Sequence, residues 1–433
     1  MKKTVLLGIA VAAIAFVGSL ILAGSVLWPA DDLGPAPGKN VASNPADRIA
    51  RGAYLAKAGD CMACHTPRGG AAYAGGRAIE TPFGAIMSPN ITSSREHGIG
   101  SWSLDDFWRA LHNGKGKDGR LLYPAFPYTN YTHITRDDAD ALHAFFQTVP
   151  AVAKTNLPHR LRFPYNQQIA LAAWRALYFR PSVWRDQGGQ SIAWNRGAYL
   201  VNGLGHCSAC HSSRNRLGAT ADGWSGGLMP VLGWYAPSLT SPAEAGLGNW
   251  DSAHIVQLLK TGVAPGATVS GPMAEVVMAS LQHLSDADLG AMAVYLKSLQ
   301  TPAPAAKPAA ALSPFAARAF KAQLKAGATL YDTHCIDCHQ ANGGGMAPAY
   351  PALAGNRALM MVQAVNPIRS VLHGGFAPAT YDNARPYGMP AFGPLLNDDE
   401  VAAVVSYVRH AWGNLAPQVS AMEVNRQRSV PLD

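Results

Sequence analysis

The sequence predicts an all-α fold of three tandem helical units behind an N-terminal transmembrane helix. Three observations predict it. The pentapeptide Cys-x-x-Cys-His occurs three times, beginning at Cys61, Cys207 and Cys335. The segments around it repeat too, with apolar residues at helical spacing behind cap-like residues. No unit shows a convincing strand pattern.

Lys2 and Lys3 precede an uncharged apolar run from Val5 to Trp28, which as a helix is about 36 Å long and spans a bilayer. A cleavable signal has an apolar stretch of only about 7–15 residues, so residues 1–30 read as a retained anchor rather than a cleaved leader. Lysines before the run and Asp31-Asp32 after it place the N-terminus in the cytoplasm and the rest of the chain in the periplasm.

Units are expected at residues 45–155, 190–300 and 318–415. Each opens with a short helix running into its motif: Arg51-Gly-Ala-Tyr-Leu55, Arg196-Gly-Ala-Tyr-Leu200 and Ala326-Gly-Ala-Thr-Leu330. A middle helix follows at Ser101–Leu111, at Asn249–Leu259 and, in shorter form, at Val365–Leu372. Closing helices start at Thr135, Ser285 and Asn397, each with an acid three places on, a capping-box pattern that also suits the positive helix end. Residues 156–189, rich in aromatics and arginine, read as a packed connector with a helix from Ile169 to Tyr178. Residues 301–317 form a Pro/Ala linker, which leads to the expectation that the third unit moves relative to the others. The chain after Trp412 reads as a weakly structured tail.

The order helix, motif, long loop, helix, loop, closing helix resembles the class I cytochrome c domain. In that fold the first and last helices cross and ligand loops enclose a porphyrin.

With 433 residues the chain is large enough for about three domains. Its net charge is +8 and its pI near 9.2. The positive residues are scattered, without a Lys/Arg cluster interleaved with aromatics, which argues against nucleic acid as a partner. A basic surface of this kind is first of all solvated, and it suits an acidic redox partner or anionic lipid.

All six cysteines lie in the motifs, leaving none for a structural disulfide. Two cysteines spaced by two residues match the two vinyl groups of one porphyrin edge, and the next histidine is then held under the iron. Cys61/Cys64, Cys207/Cys210 and Cys335/Cys338 are therefore the attachment pairs of three covalent c haems, with His65, His211 and His339 as proximal iron ligands. Half a zinc site or a thioredoxin-like pair is the competing reading of Cys-x-x-Cys. Three occurrences, each followed by histidine in a repeated framework, disfavour it.

A methionine sulfur on the far side closes the iron and raises its potential. Met389 lies 50 residues after His339 and Met273 lies 62 after His211, in the loops before the closing helices; both are assigned as distal ligands. At 61 residues after His65 stands Phe126, which cannot bind iron. Met87 is the nearest thioether, but Ser88-Pro89-Asn90 resembles the cytochrome segment whose proline carbonyl supports the proximal histidine, putting Met87 on the wrong side. His112 ends the middle helix; since His373 holds the like position in unit three, a non-ligating place in a polar pocket or near a propionate suits it better. The sixth ligand of the first haem is left open.

Across nearly the whole chain the sequence resembles the triheme cytochrome c subunits of periplasmic membrane-bound dehydrogenases. The resemblance is carried by Thr81-Pro-Phe-Gly84, Ser88-Pro-Asn-Ile-Thr92, Gly98-Ile-Gly-Ser-Trp-Ser-Leu104, Leu122-Tyr-Pro-Ala-Phe-Pro-Tyr128 and Met389-Pro-Ala-Phe392. Such subunits accompany quinoprotein alcohol, flavin-dependent gluconate, sorbitol or fructose, and molybdenum-dependent aldehyde or N-heterocycle dehydrogenases. The anchor and the Phe126 loop look more like the molybdenum-linked cytochromes. The resemblance implies relay of electrons from a catalytic subunit to ubiquinone or a terminal oxidase. Two alternatives are a free-standing or oxidase-associated carrier, and a haem enzyme using an open first iron. No phosphate loop, dinucleotide fingerprint or catalytic triad is present, so the chain is expected to leave substrate chemistry to its partner.

Overall fold

The computed structural model describes residues 44–221, 223–300, 313–347 and 349–430. The expected anchor at 1–30 and most of the Pro/Ala linker lie outside these residues. Among the described residues no helix is long and apolar enough to cross a membrane.

The fold is mainly helical, and side-chain caps set its main starts. In the first repeat, helices α1 (Pro45–Ala58), α2 (Leu104–Asn113) and α3 (Arg136–Phe146) are followed by α4 (Gln168–Tyr178) in the connector. The second has α5 (Ile192–Asn202), α6 (Ser252–Thr261), α7 (Pro272–Ala279) and α8 (Asp286–Ser298). The third has α9 (Pro314–His334), α10 (Val365–His373), α11 (Asp398–Val408) and α12 (Ala421–Arg428). The closing helices α3, α8 and α11 begin where expected, because Thr135, Ser285 and Asn397 accept the amide of the residue three places on.

In each repeat the first and last helices cross at a glycine. A Cβ on Gly52 would lie 1.9 Å from the Ala141 carbonyl oxygen, one on Gly197 1.9 Å from that of Ala291, and one on Gly327 2.2 Å from that of Ala403. No methyl fits there, so the helices meet backbone to backbone. Beside two of these crossings an arginine binds the acid that also sits in the first turn of the closing helix: Arg51 to Asp138 at 2.5 Å, and Arg196 to Asp288 at 2.7 and 2.8 Å. Asp138 is fully buried, so the pair neutralises a carboxylate that would otherwise be costly inside the protein. The third repeat has Ala326 in place of the arginine; there Asn397 and Glu400 complete a capping box, and Tyr331 packs against Trp412 and Tyr407 at 5.1 and 5.5 Å.

Four features differ from the sequence expectation. Short strands do occur: Ala78–Thr81 (β1) and Gly84–Met87 (β2) form an antiparallel hairpin, and Arg160–Leu161 (β3) pairs with β2. Their four residues or fewer are too short to show a period. The helix of the third repeat is not short but 21 residues, starting inside the expected linker with Ser313 as cap and Pro314 in its first turn.

The chain after Trp412 is not weakly structured either. Helix α12 carries its own capping box at Ser420 and Glu423, and Val419 and Val424 are fully buried in the core of the third repeat. Two apolar residues in a polar stretch were too few to announce this.

The described residues divide into two compact units, one formed by 44–53 together with 65–185, the other by 54–64 with the described residues from 186 to 430. The connector belongs to the first: Leu171 and Ala172 of α4 pack on Leu121 and Tyr123, and the buried Arg175 donates to the Asn113 carbonyl at the end of α2 (2.6 Å).

The second and third repeats share the second unit, against the expectation of an independently moving third. The Asn366 amide bridges the backbone of Tyr235 in both directions (2.9 and 2.8 Å), Arg357 donates to the Glu244 carbonyl (2.8 Å) and lies over the Trp250 ring, and Gln282 bonds Ala379 and Tyr381 (both 3.1 Å). A linker's composition sets its own stiffness but says nothing of contacts made beyond it.

Gly197→Ala is expected to lower stability by about 1–3 kcal/mol through overpacking. Gly290→Ala, in α8 where an added Cβ meets nothing within 4 Å, is expected to be neutral or stabilising by up to ~1 kcal/mol. Guanidinium unfolding of the two variants checks the contrast.

Candidate haem-binding sites

Each pentapeptide forms a single helical turn ending at its histidine: Cys61–His65, Ser208–His211 and Ile336–His339. In every case the imidazole Nδ1 meets a proline carbonyl, that of Pro89 at 2.7 Å, Pro237 at 2.8 Å and Pro351 at 3.1 Å. A glycine completes the arrangement. Gly75, Gly226 and Gly345 each donate their amide to the carbonyl of the same histidine, at 2.8, 2.9 and 3.1 Å. All three have a left-handed backbone, with φ of 66°, 71° and 63°. An added Cβ would strike the proline peptide, 2.3 Å from the Pro89 carbonyl carbon, 2.9 Å from that of Pro237 and 2.6 Å from that of Pro351. Histidine, glycine and proline thus form a closed ring that fixes the imidazole.

The chemistry follows from that ring. A carbonyl only accepts, so Nδ1 carries the proton and Nε2 keeps its lone pair for a metal. Burial lowers the pKa of His65, His211 and His339, opposed by the carbonyl bond, so the lone pair is present at neutral pH. Burial pushes the Cys61 and Cys207 thiols up to about 12 and that of Cys335 to about 11. A zinc ligand or a thioredoxin-like nucleophile needs a depressed thiol pKa. Cys61, Cys207 and Cys335 are thus neutral thiols, no disulfide joins any of the cysteines, and among the described residues no group of three His, Cys, Asp or Glu side chains could hold a metal ion. One imidazole lone pair with two thiols one turn away fits haem c, which the thiols would tether and whose iron the imidazole would bind.

On the far side the repeats differ. Met273 is the second residue of α7, and Met389 lies in a two-residue strand, Gly388–Met389, paired with Gly375–Phe376. Both are half-buried, in the loops between middle and closing helices. At the corresponding place in the first repeat Phe126 packs edge-on against Tyr131 with ring centres 5.4 Å apart. Tyr128, beside it, is fully buried against Phe179, and burial pushes its hydroxyl up to about 12. Met87 is buried in β2, two residues before the proline whose carbonyl holds His65. His112 is fully buried, stacked on Trp108 at 4.5 Å, with Nδ1 2.8 Å from the Thr132 carbonyl.

Residues 49–150, 195–300 and 324–412 match the cytochrome c family model. The chain belongs to the cytochrome c family, among the cytochrome c subunits of dehydrogenases. It is 39% identical, over 88% of its length and 82% of the relative's, to the cytochrome c subunit of the quinone alcohol dehydrogenase of Gluconobacter oxydans. It is 37% identical to the gluconate 2-dehydrogenase cytochrome c subunit of Pantoea cypripedii, covering 84% of this chain and 86% of that one. A subunit of the nicotinate dehydrogenase of Pseudomonas putida is 37% identical over 94% of this chain, which spans only 34% of that larger protein. As a cytochrome c, this protein binds haem covalently.

The glycine of each ring, and the prolines at 237 and 351, are residues that the sequence reading missed. Only Pro89 was visible there, through Ser88-Pro89-Asn90. The distance from histidine to proline varies from 24 to 26 to 12 residues, so no fixed spacing marks them.

Gly226→Ala is expected to displace Pro237 and weaken its bond to His211. An imidazole held less firmly is a weaker donor to iron, so one haem's midpoint potential should rise while the others stay unchanged in a spectropotentiometric titration.

Proposed function

We propose that this cytochrome carries electrons through three covalent haems, from a catalytic dehydrogenase subunit of flavin, quinoprotein or molybdenum type to ubiquinone or a terminal oxidase. The observation that carries the reading is the threefold recurrence of Cys-x-x-Cys-His with its histidine–proline–glycine ring. Bound haem supplies a one-electron iron couple. The chain's own residues do the rest. Cys61, Cys64, Cys207, Cys210, Cys335 and Cys338 tether the porphyrins. His65, His211 and His339 present a neutral Nε2, held in one orientation by Pro89, Pro237 and Pro351. Met273 and Met389 close the far side of the second and third irons against substrate, as suits a carrier.

Phe126 favours a second reading for the first haem alone, that of a site without methionine and lower in potential. Residues 1–30 would hold the protein at the periplasmic face of the inner membrane, and the three matched segments support three haem domains.

The protein recovered from carbonate-washed inner membranes is expected to carry three haems per chain by mass spectrometry and to be reduced by a substrate-loaded dehydrogenase subunit. Alone it should oxidise no alcohol, aldehyde or sugar; robust turnover by the isolated chain would sink the proposal.

Met273→Ala and Met389→Ala are each expected to change the spectrum of one haem, and Met87→Ala of none. A shifted first-haem signal in the Met87 variant would reverse the sidedness argument.

A further inference from the structure

Helix α4 shows an unusual surface. Its buried residues are Leu171, Ala172 and Arg175. Its outer side should therefore be polar, yet it is not: Ile169, Ala173 and Leu177, one row at four-residue spacing, are all exposed, Ile169 at 58% and Leu177 at 69%. Apart from the ring tips of Trp174 and Tyr178, the polar side chains on α4 are Gln168, which bonds the backbone of Leu121, and the buried Arg175. A helix apolar all round is normally buried all round. Phe163, 80% exposed, precedes the row and Tyr178, 40% exposed, follows it.

The charge along this stretch of the chain has one sign. From residue 141 to residue 185 the sequence has no aspartate or glutamate and six lysines or arginines. Arg162 and Arg180 flank α4 on either side and are exposed; each is steadied by backbone carbonyls, Arg162 by Pro82 and Arg180 by Ala176 and Phe179. Arg160 lies 3.7 Å from Glu80, an exposed pair of little strength.

We infer that the outer face of α4 docks on an anionic lipid surface, with Ile169, Ala173 and Leu177 entering the acyl boundary and Arg162 and Arg180 meeting phosphate headgroups. The row is about 12 Å long, a length suited to lying in the interface and not to crossing it. A protein partner would need polar groups to pair with, since an interface carries about one hydrogen bond per 100–200 Å², and this row offers none. Lipid tails need none. Trp174 and Tyr178, whose rings lie 5.5 Å apart, have the apolar body and polar tip of residues at a membrane interface. This contact is separate from the proposed anchor at residues 1–30 and stands whether or not that segment is retained.

The test uses the full chain carrying Ala173→Cys, labelled with a nitroxide and reconstituted in vesicles. Phosphatidylethanolamine with a minority of phosphatidylglycerol is one lipid; pure phosphatidylcholine is the other. In the anionic vesicles the label is expected to gain collisions with oxygen and lose them with an aqueous nickel chelate. Adding Arg162→Gln and Arg180→Gln should reduce the docked fraction roughly 30-fold at low salt, from about 1 kcal/mol per basic residue. Ile169→Gln with Leu177→Gln should abolish docking, with haem spectra unchanged as the check on folding. A label equally open to nickel with and without vesicles overturns the inference, as does equal shielding in phosphatidylcholine. Shielding that requires the catalytic dehydrogenase subunit instead of lipid also overturns it, and makes the face a protein interface.

Discussion

The hydrogen bond from each proximal histidine to a proline carbonyl is the constraint on which the haem sites depend. It chooses the tautomer, leaving on Nε2 the lone pair that would bind a haem iron, and it keeps the ring from turning away. The bond in turn depends on a glycine with a left-handed backbone, which alone allows the proline peptide to come so close to the motif. Gly75, Gly226 and Gly345 therefore matter to iron chemistry without touching iron. The helix crossings at Gly52, Gly197 and Gly327 use glycine in the same way, letting the closing helix meet the first backbone to backbone.

The repeats share this frame but not its details. The first has Phe126, inside an aromatic group, where the others have Met273 and Met389, and it takes in the connector helix α4, whose Arg175 caps the middle helix. The third exchanges an arginine–aspartate pair for a capping box and aromatic rings packed at steep angles. Equivalent attachment with unequal surroundings suits a chain of haems at different potentials, since potential follows axial ligand, hydrogen bonding and burial.

The second and third repeats are joined by Asn366, Arg357 and Gln282 within one compact unit. These contacts hold the two motifs within a single body, as would suit electron transfer between haems bound there.

How much was legible in the sequence depended on whether an interaction is local. The three Cys-x-x-Cys-His turns and the starts of the closing helices at Thr135, Ser285 and Asn397 rest on contacts within a few residues, and each could be read directly. The third unit's supposed freedom, the tail that became α12 and the exposed outer face of α4 rest on what the chain meets far along its length. Local pattern carries no record of that. The sequence by itself determined that Cys-x-x-Cys-His recurs three times in a repeated framework and that Phe126 stands where a methionine was expected. Only the tertiary structure decided which proline carbonyls hold His211 and His339, because the loops between them differ in length and close only when the fold does.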